Sequence, residues 1–257
     1  MKVIVFDTET NGLFPKTQDD KWPYIVQFSY AVYDTVSQRV VEEYDTIVRI
    51  PEDVDIPDVC VKIHGITKEM SLKSGVSMTT VLQTFHAALQ ECDRVIAHNI
   101  AFDRTMLKLE CKRNHVDIID ISAREYCTMA RGRYMCNIPY VTAAGYHIIK
   151  SPKLCELHDF LFGVGSTPKN THNSRIDTAA CLRCYVKMEH GLDLCDTDAR
   201  FKHAYYTPHA HNHITHIIDN DNDDDAMVYP YLDPDYDEIA DLYIDDQHLV
   251  LALPVGK

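Results

Sequence analysis

Lys2-Val-Ile-Val-Phe-Asp7-Thr-Glu9-Thr10 is the stretch on which the reading of this 257-residue chain turns. Four consecutive apolar residues, Val3 to Phe6, run straight into two acids, as a strand buried on both faces does where it leaves a core. On a strand, side chains two apart share a face, so the carboxylates of Asp7 and Glu9 converge at that exit. An isolated D-x-E is most often a solvated strand end. The rest of the chain therefore has to supply the company that would make the pair chemical.

Working outward, Tyr24 to Asp34 and Arg39 to Ile50 are rich in β-branched and aromatic residues and are joined by Thr35 to Gln38, which predicts an antiparallel hairpin. Val81, Leu82, Phe85 and Leu89 carry helical spacing across Thr79 to Cys92. Arg94 to Ala97 then reads as a short apolar strand, Phe102 to Arg113 as a helix, and Ile118 to Ile121 as a further strand. Beyond Pro152 a short helix is expected through Leu154, Leu157 and Leu161, and a longer one from about Arg175 to Glu189. Strands alternating with helices predict an α/β domain, a mixed or parallel central sheet flanked by helices.

Composition bounds the function. Hydrophobic residues make up 46% and charged residues 25%, and no run approaches the eighteen or so apolar residues of a membrane span, so no membrane partner is expected. The N-terminus lacks the pattern of a secretory signal, and nine irregularly spaced cysteines suit a reducing compartment, which together predict an intracellular protein with free thiols. The net charge of -14 is unevenly spread: residues 193–257 hold 15 acids and 3 bases, and residues 1–192 hold 24 acids against 22 bases. That contrast predicts a domain over 1–192 and an acidic C-terminal extension over 193–257.

Two later segments join Asp7 and Glu9. His98-Asn99-Ile-Ala-Phe102-Asp103 stands at the exit of the second core strand, and His172-Asn173-Ser174-Arg175-Ile176-Asp177 at the start of the last long helix. Asp103 also suits a first-turn acid favoured by the helix dipole, and Ser174-x-x-Asp177 fits a capping box. His172 alone would be one loop histidine among fourteen.

Together these segments resemble the DEDD superfamily of 3'-to-5' exonucleases, in the subgroup with histidine in its last motif. Asp7, Glu9, Asp103 and Asp177 match its four acids, and His172 matches the histidine five residues before the last one. The strings FDTETNGL and HNIAFD are similar to the first two motifs of the proofreading epsilon subunits of DNA polymerase III, and Ile63-His64-Gly65-Ile66-Thr67 resembles their loop before the first long helix. Ser174 departs from the pattern, standing where alanine is common. The resemblance covers about residues 1–190 and implies a ribonuclease H-like fold.

It also implies chemistry. Four carboxylates suit two Mg²⁺ or Mn²⁺ ions, with Asp7 bridging them and Glu9, Asp103 and Asp177 completing the site. His172 would be the general base, and Thr10, His64, Asn99 and Phe102 would surround the terminal nucleotide, with Phe102 equally suited to packing. The expected reaction is hydrolysis of terminal phosphodiesters of nucleic acid 3' ends, single-stranded DNA first, to nucleoside 5'-monophosphates. An RNA-trimming exonuclease and a non-catalytic nucleic-acid-binding scaffold are the alternatives, and proofreading or repair are the biological settings.

Other features read more plainly. Lys108, Lys112 and Arg113 suit a solvated helix face better than a basic strip, and Cys181-x-x-Cys184 suits buried thiols better than half of a zinc site. In the extension, His209, His211 and His213 fit a polar linker better than a metal clip. Gln247 to Leu253 loosely resembles a docking segment for a polymerase or sliding clamp, and equally suits an added strand. The acidic run there could also screen a nucleic-acid groove.

Overall fold

A computed structural model describes residues 1–14, 21–142, 145–168 and 171–206. The first strand, β1 (Lys2–Thr10), lies at the centre of a five-stranded sheet with β2 (Ile25–Asp34), β3 (Arg39–Ile47), β4 (Arg94–Ala97) and β5 (Glu125–Cys127) in the order β3-β2-β1-β4-β5. The pairs β1–β2 and β2–β3 are antiparallel, and β1–β4 and β4–β5 are parallel. This is the mixed sheet expected, with the hairpin turning at Thr35–Gln38.

Both faces of the sheet are covered, which is why β1 is continuously apolar. On one side Ile4 and Phe6 join a core completed by α3 (Met78–Gln90) and α4 (Ile100–Arg113), including Leu82, Phe85, Met106 and Leu107. On the other, Val3 and Val5 meet Cys181, Leu182, Tyr185 and Val186 of α7 (Ser174–His190). Between β3 and α3 come two short helices, α1 (Asp58–His64) and α2 (Lys68–Ser74), which the sequence reading leaves as loop. After β5 the chain forms α5 (Thr128–Cys136), a small hairpin of β6 (Ile138–Val141) and β7 (His147–Lys150), and α6 (Leu154–Phe162).

One expectation needs correction. Ile118 to Ile121 is not a strand. Ile119 and Ile121 are buried, but Asp120 between them accepts hydrogen bonds from the backbone and hydroxyl of Ser122, closing a turn where a strand would have to continue. The sheet's third parallel strand comes later, at β5. Past residue 192 the described elements continue with α8 (Leu194–Thr197) and α9 (Ala199–Tyr206), and Leu194, Cys195 and Phe201 enter the α7 core.

Acids do the fastening there. Asp193 forms a two-pronged ion pair with Arg183, at 2.8 and 2.7 Å, and caps α8. Asp198 accepts from the backbone N–H groups of Arg200, Phe201 and Val40. A charge count cannot separate such acids from solvated ones. The histidine cluster, the docking segment and the acidic run of the extension lie outside the described residues. Among the described residues, no helix is long and apolar enough to cross a membrane.

Candidate active site

The alternation of β1 sorts the site. Val3, Val5, Asp7 and Glu9 share the face covered by α7, and Ile4, Phe6 and Thr8 share the face covered by α4. Asp177, in the first turn of α7, accordingly meets the acids of β1: oxygens of Asp7, Glu9 and Asp177 all lie within 4.8 Å of one another. Asp103, in the first turn of α4, is approached from the other face, and its Oδ1 accepts a 2.8 Å hydrogen bond from the Thr8 hydroxyl. The structure thus brings three of the four predicted acids into one cluster, with the fourth just behind them. Thr8 is a site residue that the motif reading overlooks, although its position between two acids and its opposite facing were visible.

Burial and mutual repulsion oppose ionisation throughout the cluster. Asp7 is held well above the ordinary carboxylate range by burial and then by the charges of Asp103, Asp177 and Glu9. Glu9 is raised in the same way, by burial, Asp177 and Asp103. Asp103 and Asp177 are each pushed up to about 7 by burial, opposed by the hydrogen bonds they accept. The charges that raise Asp7 and Glu9 are those of other carboxylates among the described residues. Oxygen donors crowded in this way suit a hard divalent cation.

Asp177 does not close the capping box. Asn173 caps α7 through its own side chain, and the Asp177 carboxylate instead accepts the backbone N–H of His172 at 2.9 Å. Because Asn173 takes the cap, Asp177 is left to face the acids. His172 is exposed and has a positive φ of 69°, a strained conformation for a histidine, so its backbone is pinned to one of the cluster's acids while its ring stays accessible. Ser174, the departure from the motif, is fully buried with its Oγ 2.6 Å from that of Ser29.

The expected nucleotide-contacting residues are spread around this cluster. His64 is buried at the end of α1, its Nδ1 accepting the Ile66 N–H, and its pKa is lowered to about 4, by burial first. It lines a small cleft with Thr8, Glu9, Thr10, Gly12 and Leu13. The Thr10 hydroxyl is engaged in the turn, donating to the Gly12 carbonyl at 2.6 Å. Asn99 takes a left-handed conformation at the start of α4. Phe102 is half-buried and stacks on Phe14 at 4.7 Å between centroids, with Trp22 against Phe14 at 5.5 Å. Phe14 and Trp22 carry no motif signal, so the sequence reading misses both.

Neighbouring features settle as structural. Arg113 stacks 3.8 Å above Tyr24 and donates to Glu110, Trp22 and Pro23, so it belongs to no basic strip. Cys181 and Cys184 are buried thiols in α7. A larger cavity of about 220 Å³ opens between β2–β3 and α7–α9, and none of the four carboxylates lines it.

The family model described as Exonuclease (RNase_T) matches residues 4–136. A DNA polymerase III subunit epsilon-like protein of Rhodobacter capsulatus is 37% identical over 106 residues, covering 41% of this chain and 14% of that protein. Among solved structures, E. coli exonuclease I in complex with a dT13 oligonucleotide is 16% identical at a TM-score of 0.55, over 74% of this chain and 42% of that one. The nuclease domain of 3'hExo, described as a DEDDh family member bound to rAMP, is 15% identical at a TM-score of 0.56, over 75% and 94%. The structural likenesses are of fold, and the chain spans a small part of the curated relative it matches.

Proposed function

Because this chain belongs to the exonuclease family of the RNase_T model, we propose that it is a metal-dependent 3'-to-5' exonuclease that releases nucleoside 5'-monophosphates from nucleic acid, with single-stranded DNA favoured. The observation that carries this reading is the convergence of Asp7, Glu9 and Asp177 within 4.8 Å, backed by Asp103. Asp7, Glu9, Asp177 and Asp103 would hold two divalent ions, with Asp7 as the shared ligand. Ions bound there supply Lewis acidity and stabilise charge on both the attacking and leaving oxygens of an in-line displacement.

The chain's own part is to position and to move a proton. His172 is the general base that takes a proton from the attacking water, a contribution of roughly 10²–10⁴-fold. Its backbone bond to Asp177 keeps it in register with the carboxylates. The cleft of His64, Thr10, Gly12 and Leu13 opens beside Glu9, where a terminal nucleotide would sit. Phe102, half-buried on Phe14, offers an aromatic edge to a base or sugar.

RNA is the second reading, favoured by solved neighbours described as bound to rAMP or as recognising a histone mRNA stem-loop. One experiment addresses both: the purified chain with Mg²⁺ or Mn²⁺ on 5'-labelled single-stranded DNA and the matched RNA, with Asp7→Ala and 3'-blocked oligonucleotides alongside. A ladder shortening from the 3' end, lost in the variant and on blocked ends, is expected, and its strength on each sugar assigns the substrate. No cleavage by folded protein with metal present would overturn the enzyme reading and leave a binding module. Proofreading or repair is the setting such a DNA-directed activity suits.

A further inference from the structure

We propose that the β6–β7 hairpin is a docking arm for the single strand leading into the active site, with Tyr140 and Tyr146 as its stacking residues. This inference rests on the exonuclease reading above. Its first support is charge: from Tyr126 to Cys155 there is no acid and there are four bases, Arg131, Arg133, Lys150 and Lys153, in a chain whose net charge is -14. Polyphosphate attracts such a stretch.

Exposure supplies the second. Tyr140 pairs with Ile148 across the hairpin, and Tyr146 lies two residues before Ile148, so the three side chains share one face and the tyrosines are diagonal neighbours. Tyr146 is 71% exposed, Tyr140 50% and Ile148 40%, and Tyr134 at the end of α5 is 79% exposed. Exposed aromatics among bases match the means by which single strands are held without regard to sequence. Lys150 on the same face is already paired with Glu156, so Arg131 and Lys153, both exposed, are the better phosphate contacts.

The third support is placement. His98, next to Asn99 at the site, has Nδ1 2.9 Å from the Thr128 hydroxyl and Nε2 3.0 Å from the Pro152 carbonyl. Thr128 opens α5, which leads into the hairpin, and Pro152 closes it just after β7. Both ends of the arm are therefore fastened to one side chain beside the catalytic acids, and α5, about 13 Å long, leads from one of them into the hairpin.

The test compares a long single-stranded oligonucleotide with a dinucleotide, using the full chain, a Tyr140→Ala/Tyr146→Ala double variant, the matching Tyr→Phe pair and Arg131→Glu. Stacking on one base at roughly 1–3 kcal/mol corresponds to about 5- to 150-fold in affinity. The alanine pair should raise KM on the long strand at least tenfold, leave kcat and KM on the dinucleotide within twofold, and be rescued by phenylalanine. Arg131→Glu should weaken the long strand alone and flatten its salt dependence. An unchanged KM on the long strand would overturn the proposal and assign the patch to a protein partner. Equal losses on both substrates, with a lowered Tm, would also overturn it by making the hairpin merely structural. If the parent cleaves neither substrate, the exonuclease reading fails. Fluorescence anisotropy with the long strand then decides the arm, since binding unaltered by the alanine pair refutes it.

Discussion

Replacing Asp103 with asparagine should make the metal-free protein more stable and less able to use metal. Asp103 is 3% exposed, and its Oδ1 accepts from Thr8, a bond that an asparagine oxygen can keep. What the substitution removes is a charge, and that charge is the largest single repulsion on Asp7. The carboxyl is pushed from 3.8 to about 7 in the fold, so its ionisation at pH 8 costs about 4 kcal/mol of stability, an upper bound because neighbouring carboxylates also relax. The sign follows from proton binding. Between about pH 4 and pH 7 the folded state holds more protons than the unfolded state, so rising pH weakens the parent across that window, after which the loss is constant.

At 2–4 °C per kcal/mol, calorimetry in EDTA at pH 8 should show Asp103→Asn melting several degrees above the parent, with a ceiling of about 16 °C. The advantage should vanish below about pH 4. A hundredfold excess of Mg²⁺ or Mn²⁺ over Kd should narrow the gap, because the parent gains about 2.7 kcal/mol there and the variant gains less. An asparagine variant that is less stable than the parent at pH 8 without metal would refute the reasoning, as would an advantage that ignores pH.

Two further outcomes follow from other parts of the structure. His172→Ala should lower kcat by roughly 10²–10⁴-fold while leaving the Mn²⁺-induced rise in Tm intact, since the backbone N–H that meets Asp177 is retained; a fully active variant would remove the ring from the proton transfer. Gly75→Ala should destabilise the fold by about 1–3 kcal/mol in denaturant titrations, because a Cβ there would stand 2.3 Å from the Ser71 carbonyl and 2.5 Å from the Arg49 nitrogen, both backbone atoms that cannot rotate away.

The parts of this molecule legible in its sequence are those where a local period meets a buried surface. β1 could be read because Val3 to Phe6 serve both cores at once, and the β2–β3 hairpin because its apolar runs flank a short turn. The same period predicted that Asp7 and Glu9 face one way, and it implied that Thr8 faces the other, toward Asp103. The short elements were opaque for a physical reason. Helices α1, α2 and α8 are at most seven residues, too few to show a helical period, and are held by contacts distant in sequence, such as the Ser71 hydroxyl donating to the Val48 carbonyl.

Side chains whose role is to connect were equally hidden. Nothing in the string HNIAFD distinguishes His98 as the residue that holds Thr128 and Pro152 together, because its partners lie 30 and 54 residues away. The distinction bears on what the motif encodes. His98 is half-buried, and desolvation of its ring lowers its pKa to about 4, so it stays neutral at physiological pH and can serve both partners as a fixed hydrogen-bonding hub. His172, five residues from Asp177, is instead exposed, as the proposed proton transfer requires. Two histidines in two motifs thus stand in opposite settings, one bridging two distant segments and one open to solvent, and it is their surroundings in the fold, not their identity, that separates them.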